Sequence, residues 1–291
     1  MELIENILKA KKLADLIDVK SDLKKSLNDI LKKIHPDICK DPNANLATNK
    51  LLELKEEFLN GKKYIDESGE FKTNGYFSWY SENKDLIKKS LDNFNLLKSY
   101  KDEASLNFHK YMPEKMEIIG GKLEVKFNER AIPITDLQLP QKHVNWILSR
   151  ILEFASWLNQ MGYSHNGINP ESIFIMPESH GIQVASYYLL SKVNTPVNGI
   201  SGKYQHWYPS EMFSSKMITN DIDISLAKKT AIYLLGDKSG VGVKLRKDPD
   251  VNKDFLNFVI SQHDESTGLV WKEYREILSK NFKKEFHILD L

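Results

Sequence analysis

The chain carries the sequence LKKSLNDILKKIHPD at residues 23–37. Its apolar side chains repeat as they do on one face of an α-helix; they are Leu23, Leu27, Ile30, Leu31 and Ile34. The lysines of the stretch lie off this apolar stripe; they are Lys24, Lys25, Lys32 and Lys33. Proline disfavours helical backbone in the residue before it, so Pro36 ends the helix near His35. We therefore predict an amphipathic helix with a basic exposed face that ends in His35-Pro36-Asp37.

Helical patterns also flank this stretch. Upstream, a first helix is predicted from Leu3, Ile4, Ile7, Leu8, Leu13, Leu16 and Ile17. Downstream, a polar loop over residues 40–45 leads to a third helix, whose apolar side chains are Leu51, Leu52, Leu54, Phe58 and Leu59. Ser21 is the predicted N-cap of the second helix, because a serine hydroxyl can accept a hydrogen bond from a backbone N–H there. The pattern up to about Asp66 is helical throughout, without a strand signal.

A basic helix, His-Pro-Asp, a loop and an antiparallel helix together resemble the J domain of DnaJ-type co-chaperones. The resemblance covers residues 8–65, and on this basis we assign residues 1–66 to a J domain. It implies that His35, Pro36 and Asp37 trigger ATP hydrolysis by a DnaK-type chaperone. It also implies that the four lysines guide the domain onto an acidic surface of that partner.

Some features depart from the J-domain pattern. Leu13 stands where the family often has tyrosine, and Asp18 where glycine is common. The chain also lacks a Gly/Phe-rich linker and a cysteine-rich zinc module, so the remaining residues must provide client specificity. Two plainer interpretations stay open: the lysines form only a solvated surface, and His-Pro-Asp is an ordinary helix stop.

Beyond the third helix, strand and helix patterns alternate. A first hairpin is predicted from the aromatic residues Phe71, Tyr76, Phe77, Trp79 and Tyr80. Gly120-Gly121 separates two predicted short strands, 116–119 and 123–127, which is typical of a second hairpin. Apolar residues at helical spacing over 144–161 predict a long helix that ends at Gly162. For the whole chain we expect a mostly helical α+β fold.

The segment that follows this long helix resembles the catalytic loop of protein kinases. That loop reads His-Arg-Asp, followed by a lysine, Pro-Glu and an asparagine, and His165, Pro170 and Glu171 match it. Residues 207–211, Trp-Tyr-Pro-Ser-Glu, are similar to the kinase Ala-Pro-Glu segment with one extra residue. Asp223, at the start of an apolar helix, resembles the aspartate that supports the kinase catalytic loop.

The kinase resemblance covers about residues 70–290 and implies a bilobal protein-kinase-like fold. A reduced N-lobe would span residues 70–138, and the C-lobe residues 139–291. The resemblance also implies an ion pair between Glu211 and Arg275 in the C-lobe.

Kinases carry out phosphoryl transfer with a base aspartate, metal-binding Asp and Asn residues, and a lysine, and these positions are substituted here. On the kinase resemblance, Gly167 stands at the base position, Asn169 at the lysine position and Ser172 at the metal-binding asparagine position. Ser186-Tyr187-Tyr188 stands at the Asp-Phe-Gly segment, and no Gly-x-Gly-x-x-Gly loop occurs. We therefore predict a pseudokinase with no catalytic residues, no metal site and no bound ATP or other cofactor. His165 is predicted to be structural.

The composition fits a cytosolic globular protein. The 291 residues carry 41 Lys+Arg and 40 Asp+Glu, a formal net charge of +1, which excludes a globally basic nucleic-acid coat. The single cysteine, Cys39, cannot form an internal disulfide or a cysteine-based zinc site and suits a reducing compartment. No segment approaches about 18 consecutive apolar residues, and the N-terminus lacks a signal-peptide pattern. We expect a cytoplasmic protein with no membrane or nucleic-acid partner.

The sequence thus favours a co-chaperone that is not an enzyme, in which the kinase-like half binds a client protein that the sequence does not identify. One alternative is a divergent kinase or nucleotide transferase that uses other metal ligands, such as Glu178 or Asp221. Another is a structural or host-interaction protein of a bacteriophage, whose J-like helices no longer engage a chaperone.

Overall fold

The computed structural model places the chain in two compact units. The first comprises Met1–Ile65 and Glu70–Tyr76, and the second Asp66–Gly69 and Phe77–Leu291. The residues that the structure describes are 2–10, 13–17, 23–60, 62–65, 70–73, 76–81, 83–129, 131–135, 137–263, 265–283, 285 and 289.

Helices dominate the described residues. They are α1 (Glu2–Lys9), α2 (Leu23–Ile34), α3 (Ala44–Asn60), α4 (Lys84–Ser99), α5 (Glu103–Phe108), α6 (Gln141–Gln160), α7 (Ser210–Ser215), α8 (Asp221–Leu234), α9 (Lys253–Ile260) and α10 (Thr267–Asn281). The strands are β1 (Lys62–Ile65), β2 (Glu70–Thr73), β3 (Tyr76–Tyr80), β4 (Lys115–Ile119), β5 (Lys122–Lys126), β6 (Ile132–Pro133), β7 (Tyr163–Ser164), β8 (Ile173–Met176), β9 (Gly181–Val184) and β10 (Ser191–Lys192). The prediction of a mostly helical α+β fold is therefore confirmed.

The first helix of the chain is shorter than its apolar pattern predicts. The N–H of Ala10 lies within hydrogen-bonding distance of the carbonyls of both Asn6 and Ile7, which is common where a helix ends. A separate 3-10 turn, Leu13–Asp15, follows. The single helix expected through Ile17 is therefore wrong, although Leu13 still reaches the core. Ser21, the predicted N-cap, lies outside the described residues.

The core of the first unit is formed where the three helices meet. Its buried side chains are Ile4, Ile7, Ala10, Leu13, Leu27, Ile34, Ala44, Ala47, Leu51 and Leu54. On α3 the buried residues repeat every three to four positions, which is the spacing of one helix face. Leu52 and Phe58, also expected to pack, lie outside this face and are 43% and 45% exposed.

A hairpin follows α3 in the first unit. β1 and β2 pair antiparallel, with Lys62 opposite Thr73 and Ile65 opposite Glu70. The expectation of a purely helical segment up to Asp66 is thus wrong at β1. The sequence of β1 begins with two lysines, which are not typical of a strand. The strand forms through its pairing with β2 rather than through its own composition.

The described strands of the second unit fall into three small groups. The strand β5 lies between β3 and β4, β8 lies between β6 and β9, and β7 pairs with β10. The long helix α6 packs against α8 and α10. The β4–β5 hairpin turns at Gly120-Gly121, both with positive φ, and α6 is followed by Gly162 at φ 80°, so both sequence predictions are confirmed.

No helix in the described part of the chain combines the length and the apolar character needed to cross a membrane.

We predict that Leu51→Ala destabilises the first unit far more than Leu52→Ala. Leu51 is fully buried on α3, so its truncation leaves a cavity that costs about 2–4 kcal/mol. The exposed Leu52 is the matched control, with an expected cost below about 0.5 kcal/mol. Amide hydrogen exchange in α1 and α3 measures both effects, and equal protection in the two variants would contradict the packing described here.

Candidate functional site

The turn after α2 is fixed by hydrogen bonds to two consecutive carbonyls, those of Ile34 and His35. The backbone oxygen of His35 accepts hydrogen bonds from the N–H groups of Ile38, at 2.9 Å, and Cys39, at 2.8 Å. The hydroxyl of Thr48 on α3 donates to the carbonyl of Ile34 at 3.5 Å. The turn is therefore held both by its own backbone and by the neighbouring helix.

The side chains of His35 and Asp37 stand side by side at the surface. They are 49% and 86% exposed, and Nδ1 of His35 lies 3.5 Å from Oδ2 of Asp37. The Asp37 N–H faces the same ring nitrogen at 3.3 Å. Pro36, between them, is half-buried. An imidazole and a carboxylate are thus presented together on a fixed turn.

The predicted lysines form an exposed basic face along α2, defined here as Lys24, Lys25, Lys32 and Lys33. Leu27 and Ile34, on the opposite side of the helix, are buried in the core. Burial of this apolar stripe fixes the helix orientation, so the lysines cannot turn inward. The seven predicted partner-binding residues therefore lie along one helix and on the turn at its end.

A second candidate site lies in the second unit, in the segment 163–173, called the central loop. The fully buried carboxylate of Asp223 on α8 accepts hydrogen bonds from the backbone N–H groups of His165 (2.6 Å) and Asn166 (2.9 Å). Burial raises the pKa of Asp223 to about 6, and these N–H groups oppose that rise because they stabilise the charged form. Asp223 thereby anchors the central loop to α8.

The ring of His165 bridges two backbone segments. Its Nδ1 accepts a hydrogen bond from the Gly167 N–H at 3.2 Å, so Nε2 carries the proton and donates to the Ser186 carbonyl at 2.7 Å. Burial lowers the pKa of His165 to about 4, and the contact with Ser186 only partly opposes this. The imidazole is therefore neutral near pH 7, with both nitrogens occupied by the backbone.

The five positions compared with kinase catalytic positions meet around one small cavity. Its volume is about 10 Å³, and its lining includes His165, Gly167, Asn169, Ser172 and Ser186. Such a space holds about one water molecule, and this volume is far smaller than a nucleoside triphosphate needs. Across the described ranges, no group of three His, Cys, Asp or Glu side chains is arranged to hold a metal ion.

No model of a known protein family matches this chain, and a search of curated proteins found no relative.

Sequence reasoning missed Asn166, which shapes the central loop. It adopts φ 59°, a left-handed conformation that asparagine tolerates better than most residues. Its side chain accepts a hydrogen bond from the Ser164 hydroxyl and donates to the carbonyls of Ser164 and Leu189. The hydroxyl of Tyr208 donates to its backbone carbonyl. The Asn-Gly dipeptide at 166–167 is a turn signal that could have identified it.

Two polar residues of α4 hold the segment that follows β9. The Ser90 hydroxyl accepts a hydrogen bond from the Tyr187 N–H at 3.0 Å, and the Asn93 amide donates to the Tyr187 carbonyl at 2.8 Å. The Tyr187 ring packs against Phe94, with ring centroids 5.9 Å apart. These contacts join residues more than 90 positions apart, which no local sequence pattern could indicate.

The ion pair expected between Glu211 and Arg275 does not form. The Arg275 guanidinium instead lies over the ring of Trp271, 5.1 Å from its centroid and one helical turn earlier on α10. Among the ion pairs of the described residues, none joins Arg275 to Glu211. The local cation–π contact takes the place of the distant carboxylate.

We predict that the stability difference between the wild type and His165→Gln shrinks as the pH falls from 7 to 5. The folded pKa of His165, about 4, lies below the ordinary 6.5, so between these values the unfolded histidine binds more proton than the folded one, and the stability that His165 contributes is lost as pH falls. Glutamine does not titrate, while Asp223 titrates in both proteins. The stability advantage of the wild type should therefore shrink by about 1–2 kcal/mol from pH 7 to pH 5.

Urea unfolding followed by tryptophan fluorescence measures this difference at each pH. His206→Gln is the control, because His206 is an exposed histidine that also faces a backbone carbonyl, at 3.2 Å. A stability difference that does not change with pH would contradict the neutral, buried state of His165.

Proposed function

We propose that this chain is a J-domain co-chaperone that stimulates a DnaK-type chaperone ATPase. The observation that carries the proposal is the turn at His35-Pro36-Asp37, which presents an imidazole and a carboxylate at the end of a basic helix. In the proposal, residues 1–66 are the J domain. Residues 70–138 and 139–291 are the two lobes of a pseudokinase that binds a client protein.

The geometry of the turn supports a docking role. Its backbone is fixed by the carbonyl of His35 and by Thr48, so little conformational freedom remains to be lost on binding. The adjoining basic face carries four exposed positive charges, whereas the whole chain has a formal net charge of only +1. Concentrated charge accelerates encounter with an acidic partner surface and favours one orientation.

The central loop supports a role in the second unit that is not phosphoryl transfer. Gly167 and Ser172 supply neither the base nor the metal ligand that this chemistry needs, and the cavity beside them holds about one water molecule. On α4, the side chains that hydrogen-bond to the segment after β9 are Ser90 and Asn93, which carry no charge. A folded unit with such a site serves as a binding surface for a client protein.

The first test is stimulation of the steady-state ATPase of a purified DnaK-type chaperone by the full chain. We expect His35→Gln to reduce the stimulation at least about tenfold, since a contact at the centre of a small interface dominates its energy. The exposed position of His35 predicts no loss of folding, which circular dichroism checks. Full stimulation by His35→Gln would refute the proposal.

The same assay tests the basic face. The double variant Lys32→Glu and Lys33→Glu should stimulate the chaperone ATPase less than the wild type does. The difference in stimulation between the two proteins should become smaller as the salt concentration rises, since exposed charges are screened. Lys9→Glu on α1, also exposed, is the matched control. If the chain binds the chaperone with an affinity that does not depend on salt, the lysines do not guide the encounter. If the chain does not bind the chaperone at all, the alternative of a structural or host-interaction protein of a bacteriophage is favoured.

A divergent kinase or nucleotide transferase is the competing enzymatic function. Its suggested metal ligands lie on different elements: Glu178 is exposed in the β8–β9 turn, and Asp221 is the first residue of α8. The lining of the cavity beside His165 includes neither. We therefore expect no rise in melting temperature with ATP and magnesium. Metal-dependent stabilisation followed by turnover would favour the enzyme.

A further inference from the structure

A large polar cleft lies in the second unit, apart from the central-loop cavity. Its volume is about 950 Å³, at the upper end of the range for ligand sites. Its walls come from residues 206–211, the first turns of α8, and the loop between α9 and α10. This space is sufficient for a small molecule or a short peptide segment.

A serine and a histidine meet on the wall of this cleft. Ser261, at the end of α9, is exposed, and its Oγ lies 2.9 Å from Nε2 of His263. The same hydroxyl lies 2.8 Å from the carbonyl of Phe258, so it can donate to either acceptor by rotating about one bond. A hydroxyl within hydrogen-bonding distance of an imidazole is the arrangement that activates a serine nucleophile.

Two carboxylates lie behind the imidazole. Nδ1 of His263 is 3.4 Å from Oε2 of Glu273 and 3.6 Å from Oε2 of Glu265. The histidine side chain is only 7% exposed, whereas the two glutamates are about half exposed. Carboxylates in this position orient the ring and stabilise the imidazolium that forms when the histidine takes a proton.

A buried lysine approaches the same serine from α8. Nζ of Lys228 donates to the Ser261 carbonyl at 2.7 Å and lies 3.5 Å from Ser261 Oγ. The residue is 3% exposed and its amine sits over the Phe258 ring, 5.0 Å from the centroid. Burial lowers the pKa of Lys228 to about 7, so near neutral pH a substantial fraction is still protonated. A protonated amine beside the nucleophile can stabilise negative charge that develops there.

We propose that Ser261 and His263 form an acyl-transfer site that hydrolyses carboxylic esters or thioesters. Glu273 and Glu265 are positioning residues, and Lys228 stabilises the oxyanion. This activity is independent of the proposed chaperone function, because it uses different residues and a different cleft.

The reaction balances without a redox partner. Ser261 Oγ forms a bond to the carbonyl carbon of the substrate while its proton passes to Nε2 of His263. The bond to the leaving alcohol or thiol then breaks, and that group takes the proton from the imidazolium. Water, activated by His263, attacks the acyl-serine, which releases the carboxylic acid and restores the hydroxyl.

A fluorophosphonate probe tests the nucleophile directly, because an activated serine displaces its fluoride and keeps the phosphonyl group. With the full chain we expect one adduct, located at Ser261 by peptide mass spectrometry and lost in Ser261→Ala. His263→Asn should slow adduct formation about 100-fold, the size of a typical general-base contribution.

Ser279 provides the matched control. It is exposed and its hydroxyl also donates to a backbone carbonyl, that of Arg275 at 2.7 Å. Ser279→Ala should label as the wild type does. The absence of an adduct at Ser261, or equal labelling rates in the wild type and His263→Asn, would overturn the proposal. Should His263→Asn fail to fold, hydrolysis of p-nitrophenyl acetate by wild type and Ser261→Ala decides, and equal rates reject the site.

Discussion

The buried carboxylate of Asp223 holds the central loop of the second unit in place. Asp223 accepts two backbone N–H groups of the central loop, and a charged group at this depth is tolerated only when it is well hydrogen-bonded. From that anchor the connections continue outward: His165 bonds to the Ser186 carbonyl, and the adjoining Tyr187 is held by α4. Helix, loop and following segment are therefore coupled through hydrogen bonds that each join a side chain of one segment to the backbone of the next; the side chains are those of Asp223, His165 and Ser90.

The two candidate sites share one local hydrogen-bond arrangement but differ in how far the histidine is exposed to solvent. In each, a histidine lies at a turn and its Nδ1 faces a backbone N–H two residues later, that of Asp37 for His35 and that of Gly167 for His165. At His35 the ring and a neighbouring carboxylate remain in solvent. At His165 the second nitrogen is also satisfied and the ring is buried. Exposure, rather than residue type, separates the histidine at the surface, His35, from the histidine that supports the backbone, His165.

Features with a local physical cause could be predicted from the sequence. The apolar period of α6 and the Gly120-Gly121 turn are examples, because each needs only neighbouring residues. The strand β1 was missed because it depends on pairing with β2. Leu52 is exposed for a local reason, because it lies outside the face that the buried residues of α3 form. The candidate turn at His35 could be located from the sequence, but the hydrogen bond from the Thr48 hydroxyl to the Ile34 carbonyl could not. The Ser261 cluster joins Lys228 across 33 positions, which spacing cannot reveal.

The opposite pKa shifts of His165 and Asp223 have a joint consequence for proton uptake. Between about pH 4 and pH 6, unfolding lets the histidine gain a proton, because its folded pKa is near 4. Over the same interval the aspartate releases one, because its folded pKa is near 6 and its ordinary value is 3.8. The two exchanges nearly cancel, so this pair makes unfolding almost proton-neutral in mild acid. The central loop therefore combines a buried acid and a buried base without becoming a pH switch.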